Sequence, residues 1–308
     1  MADGAVRRLP LKFQIGARTL ATIPRRLVRV SFSLDAVLAL TSPTLPPLPD
    51  DADGYLVTSL PEPMPEPMLA GLDRHGLLAF VRQRYVRYHI DLAAGEAAWL
   101  AGLSGSARSG IKRKAKKLAA ANGGVLDIRR YHDAAAFADF HPLARAVSAT
   151  TYQEKLLGSG LPDDPASVHH LEALAAQDML RAWLLFIAGI PVAYLCCTAD
   201  GDSLCYTYVG HDPAHNDLSP GAVLQVEAMR DLFTEKRFAR FDFTEGEGQH
   251  KRQFSTGGTA CVDVLLLRPT LANRVTVMAL HGFDSAIALA KRGATHPALA
   301  KLARNIRR

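Results

Sequence analysis

Residues 205–255 read CYTYVGHDPAHNDLSPGAVLQVEAMRDLFTEKRFARFDFTEGEGQHKRQFS, and the order of residue types in this stretch decides the fold. An apolar run closes on Tyr208-Val209-Gly210, and His211-Asp212-Pro213 turns the chain. Ser219-Pro220-Gly221 then opens a long helix, and Phe241-Asp242-Phe243 follows it as a strand. Strand, glycine-bearing turn, helix and strand in that order expose backbone N–H groups at a helix start, where the helix dipole favours an anion. The stretch has the form of a phosphate cradle, with Asn216 to Ala222 as the turn that holds the anion. In it Gly221 permits close backbone approach, Ser219 can cap the helix and Pro220 suits its first turn.

Upstream, strands are predicted at Arg181 to Ile187, Val192 to Thr198 and Ser203 to Val209, joined by tight turns at Gly189-Ile190-Pro191 and Asp200-Gly201-Asp202. They form a β-meander. A helix at 220–236, a strand at 240–243, a short helix at 249–254 and a strand at 261–267 complete the pattern. Further upstream, Tyr85 to Leu92 alternates as a strand and Ala93 to Gly102 reads as a short helix. Ser104 is placed to cap a basic helix that ends near Gly123-Gly124. A strand at 125–131 and helices at 133–149 and 167–177 lead into the meander. The halves echo each other weakly as mixed α/β units, which leaves a tandem arrangement open. The expected division is an arm and Pro-rich linker over 1–50, an α/β subdomain over 51–150, the core over 151–270 and a helical tail over 271–308, read as two helices separated near Pro297.

A chain of 308 residues with 48% hydrophobic and 21% charged residues is globular rather than disordered. Its net charge of +6 is unevenly spread. Residues 4–34 hold seven basic side chains and no acidic one, residues 104–118 hold six and none, and residues 272–308 hold seven against Asp284 alone. The remainder is therefore acidic, and the three basic stretches point to contact with anions. Residues 1–40 mix Arg with Leu, Ile, Phe and Val, as a segment lying in a membrane interface does, or as a poorly ordered basic arm does. No run reaches the ~18 to 20 apolar residues that span a bilayer, and no secretory layout opens the chain. The cysteines, Cys196, Cys197, Cys205 and Cys261, lie in predicted strands without metal-type spacing, which fits buried thiols in a reducing, cytoplasmic setting. The histidines show no metal-binding spacing either, so no metal is expected.

The segments "GHDPAHNDLSPGAVLQVEAMRDL" and "RFDFTEGEGQHKRQF", with "SGSARSGIKRKAKKL" at 104–118, resemble the acyltransferase domain of the CelD/BcsL-type subfamily of GNAT proteins, a relative of the FemAB/FemX peptidyltransferases. The likeness covers roughly residues 95 to 268. It implies a GNAT fold, a mixed, mainly antiparallel sheet flanked by helices, and transfer of an acyl group from a CoA thioester, acyl-CoA, to an amine. In that scheme the thioester lies where the fourth and fifth strands splay apart, here Ser203 to Val209 and Arg240 to Phe243. The sequence departs from the family in one place: Asn-Asp-Leu-Ser-Pro-Gly-Ala replaces the usual Gln/Arg-x-x-Gly-x-Gly/Ala loop.

Direct attack needs a neutral amine, so a base must take a proton, and an acid can protonate the leaving thiolate. Asp242 at the splay is the leading polar residue, with Glu245 and His211 as alternative bases and Tyr208 or Tyr206 as the acid. Tyr206 and Tyr208 are expected on one strand face. Lys251, nine residues after Asp242, matches the family spacing and is expected to pair with Asp242 or hold substrate. For each of these a structural role stands beside the chemical one: a cap or ion pair, a turn, core packing, a solvated charge. The helix at Lys112 to Lys117 is a solvated face or a contact for anionic lipid, for CoA phosphates or for tRNA.

The basic termini bear on the acceptor. An enzyme whose amine is embedded in a bilayer must sit on the inner leaflet, where each Lys or Arg adds ~1 kcal/mol of attraction to an anionic surface. A lipidic or envelope-linked amine is therefore expected, as for the bacterial ceramide synthases of this superfamily, which N-acylate a sphingoid base. Three alternatives remain: a FemX-like transferase using aminoacyl-tRNA, an acetyltransferase acting on a polysaccharide precursor, and a non-catalytic scaffold.

Overall fold

The computed structural model describes residues 5–15, 18–42, 44–64, 76–151, 154, 160–246 and 248–294. In chain order its elements begin with β1 (Val6–Ile15), β2 (Arg18–Ser31), α1 (Leu34–Leu38), β3 (Gly54–Pro61), β4 (Leu78–Asp91), α2 (Gly95–Gly102), α3 (Gly105–Ala121) and β5 (Asp127–Tyr131). They continue with α4 (Ala134–Ser148), α5 (Pro165–Ala176), β6 (Leu180–Ile187), β7 (Ile190–Asp200) and β8 (Ser203–His211). A 3-10 turn (Pro213–Leu218), α6 (Pro220–Glu235), β9 (Arg240–Asp242), α7 (Gln249–Phe254), β10 (Gly257–Leu267) and α8 (Leu271–Ala294) close the order. The helix expected beyond Pro297 lies outside the described residues.

The chain divides into two compact units, one of Met1–Phe32, Ala36–Arg84 and Cys261–Arg308, the other of Ser33–Asp35 and Tyr85–Ala260. These units are bounded at other positions than the divisions at 50, 150 and 270 read from the sequence. The cause is pairing: Cys261–Leu267 ladders onto β3, with Leu265 opposite Leu56, so the end of the chain folds with its beginning.

In the first unit, Val6–Ile15 and Arg18–Ser31 pair as antiparallel strands rather than forming a poorly ordered arm, with Val6 opposite Val28 and Leu11 opposite Ile23. Leu11 and Leu27 of the hairpin are buried with Leu265, Leu267 and Leu280, and Phe13 stands edge-on to Phe283 at 5.2 Å. The hairpin's apolar face thus supplies a core for α8. Arg25 fixes the start of that helix, donating from Nε to Asn273 Oδ1 at 3.0 Å and from its guanidinium to the Ala272 carbonyl at 3.2 Å.

In the second unit, from residues 85–91 of β4 onward, the strand order is β4-β9-β8-β7-β6-β5, and all of these pairs are antiparallel except β8 with β9. Strand β6 reads LRAWLLFI, apolar but for the ion-paired Arg181, because both its faces are covered. Trp183 and Leu185 face a cluster with α6 residues Leu224, Ala228 and Leu232. Ala182, Leu184 and Phe186 face the opposite cluster with Phe137 and Phe140 of α4 and Leu171 of α5. Helix starts follow the sequence: Ser104 accepts from the Ala107 N–H, Asp133 from Ala136 and Asp164 from Ser167.

Candidate active site

Strands β8 and β9 are parallel neighbours for three rungs, Ser203 to Arg240, Leu204 to Phe241 and Cys205 to Asp242. There β9 ends, and Thr244 takes a left-handed φ of 59°, while β8 runs on to His211. The two strands part at Cys205 and Asp242. One rung later β8 carries a bulge: Thr198 of β7 faces Cys205 and Cys196 faces Tyr208, so Tyr206 and Thr207 together oppose Cys197.

The bulge corrects the expectation that Tyr206 and Tyr208 share a face. Tyr206 packs among Phe241, Phe243 and His250, with ring centroids 5.8, 5.7 and 6.1 Å away. Tyr208 packs instead against the cluster under α4 and α5. One extra residue in a strand turns everything beyond it over. Burial holds both phenols above their ordinary range, so they stay protonated.

About four residues farther along β8, roughly 13 Å at strand rise, comes the turn predicted to cradle phosphate. His211 Nε2 and Asn216 Oδ1 are 2.7 Å apart, and a Cβ on Gly221 would lie 3.3 Å from His211 Nδ1. His211, Asn216 and Gly221 therefore meet at the start of α6, and His211 belongs to the turn rather than to the rung where the strands part. Ser219 heads the helix in a left-handed conformation, φ 54°, without a side-chain cap. That overturns its expected capping role, because a left-handed Ncap aims the side chain away from the first N–H groups. From the basic helix, Lys117 Nζ donates to the Asp217 carbonyl at 2.7 Å, and Lys114 lines a small cavity with Ile111, Ala222 and Val226. Helix α3 thus flanks the turn while Lys112, Arg113 and Lys116 stay exposed.

Residues 105–252 match the acetyltransferase (GNAT) domain family. The fold is that of the GNAT superfamily. Among solved structures the chain is similar to FemX, at 10% identity and a TM-score of 0.53, covering 89% of this chain and 90% of that one. It is also similar to the C-terminal domain of a protein described as a lysylphosphatidylglycerol synthetase from Agrobacterium fabrum, at 12% identity and a TM-score of 0.50, covering 75% and 71%. At such identities these likenesses speak for the fold. No curated protein sequence matches the chain.

Asp242 is 0% exposed and does not pair with Lys251 as expected. Its carboxylate accepts from Arg87 Nε at 3.1 and 3.2 Å, from Arg87 Nη2, and from the Thr244 N–H at 2.8 Å. Lys251 instead donates to the carbonyls of Phe243 and Glu245, at 2.8 and 2.7 Å, and clasps the loop after β9. The reason is direction: Asp242 points to the face opposite Phe241 and Phe243, where β4 supplies a guanidinium. Glu245 is exposed on that loop. Cys205, 3.8 Å from Asp242, has its thiol pushed up to about 12 by burial and by that carboxylate, which leaves it unreactive.

Arg87 and His89 of β4 are the site residues that sequence reasoning missed. Their signal was present as a lone Arg and His alternating inside the strand at 85–92. What sequence does not supply is the rung that sets His89 opposite Asp242.

Proposed function

We propose that the chain transfers an acyl group from acyl-CoA to a lipidic amine at a membrane surface. The observation that carries the transfer reading is the parting of β8 and β9 one rung before a bulge, with a glycine-bearing helix start farther along the same strand. A long donor can lie with its pyrophosphate at Asn216, Ser219, Gly221 and Ala222 and its thioester where the strands part, where the strand backbone can polarise the carbonyl. Lys114 and Lys117 add positive charge beside the phosphates, Lys251 holds the loop at the cleft, and Tyr206 or Tyr208 can give the leaving sulfur its proton. Asp242 serves by fixing the end of β9.

Helix α8 supports the membrane reading. It turns Asn273, Thr276 and Leu280 inward, while Leu271, Val275 and Met278 are 79%, 57% and 71% exposed at helical spacing on its outer side. Arg274 and His281 flank them. No helix among the described residues is long and apolar enough to cross a membrane. An apolar stripe with Arg274 at its edge, in a unit with a basic hairpin, suits insertion at an anionic bilayer. Replacing Leu271, Val275 and Met278 together by Ser is expected to lower co-sedimentation with phosphatidylglycerol vesicles by on the order of tenfold or more, since each loses roughly 1.5–3 kcal/mol of apolar burial. Unchanged sedimentation would remove the α8 contact from the proposal. Arg25 is a poor probe, because it holds the start of α8.

Donor class is tested by thermal shift with CoA, long-chain acyl-CoA and tRNA, followed by transfer assays. Long-chain acyl-CoA is expected to raise Tm most, and mass spectrometry with a sphingoid base as first acceptor should reveal an amide. Stabilisation by tRNA alone would favour an aminoacyl-ester donor held by the exposed cations of α3, the reading that fits the likeness to FemX. The proposed setting is the inner face of the cytoplasmic membrane.

A further inference from the structure

Two faces of the cleft differ in chemistry. On the α6 side the space beside the parted strands is filled by Phe241 and Phe243, both fully buried, with Tyr206 and His250 against them. On the other side the same rungs present polar groups. Cys205 and Asp242 are direct partners across β8 and β9, and Asp242 and His89 across β9 and β4. Directly paired residues share a face, and Arg87, two residues before His89, shares it too. The last rung before the strands part therefore runs Cys205, Asp242, His89.

On this rung Asp242 is engaged by Arg87 and the Cys205 thiol is inert, which leaves His89. Its ring lies over β10, where a Cβ on Gly257 would come within 2.8 Å of Nε2. Nδ1 is buried without a hydrogen-bond partner. A buried ring nitrogen with no partner carries a desolvation cost, which His132 Nε2 and Gln225 Nε2 also carry. The residue as a whole is half-buried.

We propose that His89 is the proton acceptor for the attacking amine, which enters on the sheet face opposite α6. This rests on the acyl-transfer reading above. The ammonium of the acceptor gives one proton to the imidazole. The freed nitrogen lone pair attacks the thioester carbonyl, forming a C–N bond, and collapse of the tetrahedral intermediate breaks C–S. The tyrosine hydroxyl gives its proton to the departing sulfur and regains one from the nitrogen, yielding a thiol and an amide, and the imidazolium releases its proton to solvent. Burial holds the His89 ring below its ordinary value, so it is neutral and able to accept at neutral pH. The charged groups that face it are Arg87 and Asp91 on β4 and Asp242 and Arg240 on β9, and β10 presents Gly257, which does not titrate.

The test compares full-length wild type with His89→Gln and, as a second variant, His89→Asn, each checked for Tm and for CoA binding. Turnover is expected to fall by about 10²–10⁴-fold with CoA affinity kept. The acid limb of the wild-type kcat profile, rising with pH below the ordinary His value of about 6.5, is expected to vanish in both variants. Wild-type-like turnover with the limb intact would overturn the assignment of His89 and leave the acyl-transfer reading standing. If acyl-CoA is not consumed but an aminoacyl ester is, the donor reading fails and the same comparison, run with the ester, decides His89. Absence of transfer from either donor overturns both.

Discussion

Arg87→Met is expected to lower the unfolding free energy of the chain by about 3–5 kcal/mol, read as a fall in the urea midpoint. The Arg87–Asp242 pair is almost wholly dry, with side chains 6% and 0% exposed. Removing the guanidinium leaves a carboxylate in the sheet with only the Thr244 N–H and a weakly donating thiol to satisfy it. The cost of an unpaired buried charge exceeds what the pair itself contributes, so Arg87→Met/Asp242→Leu should recover most of the loss. A single variant as stable as wild type would show that Asp242 takes up a proton or reaches water. Transfer activity should fall in the single variant, because Asp242 fixes the rung at which β8 and β9 part.

Trp99→Ala is expected to cost about 3–5 kcal/mol and to depress transfer beyond what lost stability explains. The indole of α2 is 1% exposed, stacks at 5.5 Å on Phe233 of α6 and at 6.3 Å on Phe254 of α7, and donates from Nε1 to the Phe254 carbonyl at 2.8 Å. Helix α7 has only six residues and no side-chain cap, so its place depends on that anchor. Lys251 and His250 ride on it. Trp99→Phe keeps one aromatic ring in place and loses the Nε1 hydrogen bond, about 1 kcal/mol, besides the packing of the part of the indole that phenyl does not fill. If Trp99→Ala unfolds at the wild-type urea midpoint, the anchor carries no such weight; if it is destabilised but turns over normally at low temperature, α7 does not depend on it for activity.

Much of the second unit was legible because its signals are local. Ser104, Asp133 and Asp164 mark helix starts, turns at 188–189 and 201–202 separate the strands close to the expected 189–191 and 200–202, and Ser219-Pro220-Gly221 heads α6 as read. The N-terminal hairpin was hidden because Pro10 and Pro24 argue against strand, yet they face each other at positions where the ladder needs no further N–H: β1 is the outer strand, and β2 meets β3 only from Leu27 on. The partner of Asp242 was hidden for a different reason. Lys251 is near in sequence, whereas Arg87 lies 155 residues away and meets Asp242 only once β4 and β9 are side by side. The faces of Tyr206 and Tyr208 turned on a bulge, which leaves no mark in composition. Ser219 was read by residue type as a cap, but its backbone conformation follows from the 3-10 turn before it.

The bulge in β8 makes chain length itself a specification. Between Cys205, fixed by Asp242, and Gly210, fixed against Tyr194 and Thr151 where a Cβ would come within 2.8 Å, the number of residues decides which side of the sheet everything downstream occupies. Deleting either Tyr206 or Thr207 would restore a regular ladder, yet it would move His211 to the wrong side of the sheet and separate it from Gly221. Among homologues, this interval should therefore vary in side chains far more readily than in count.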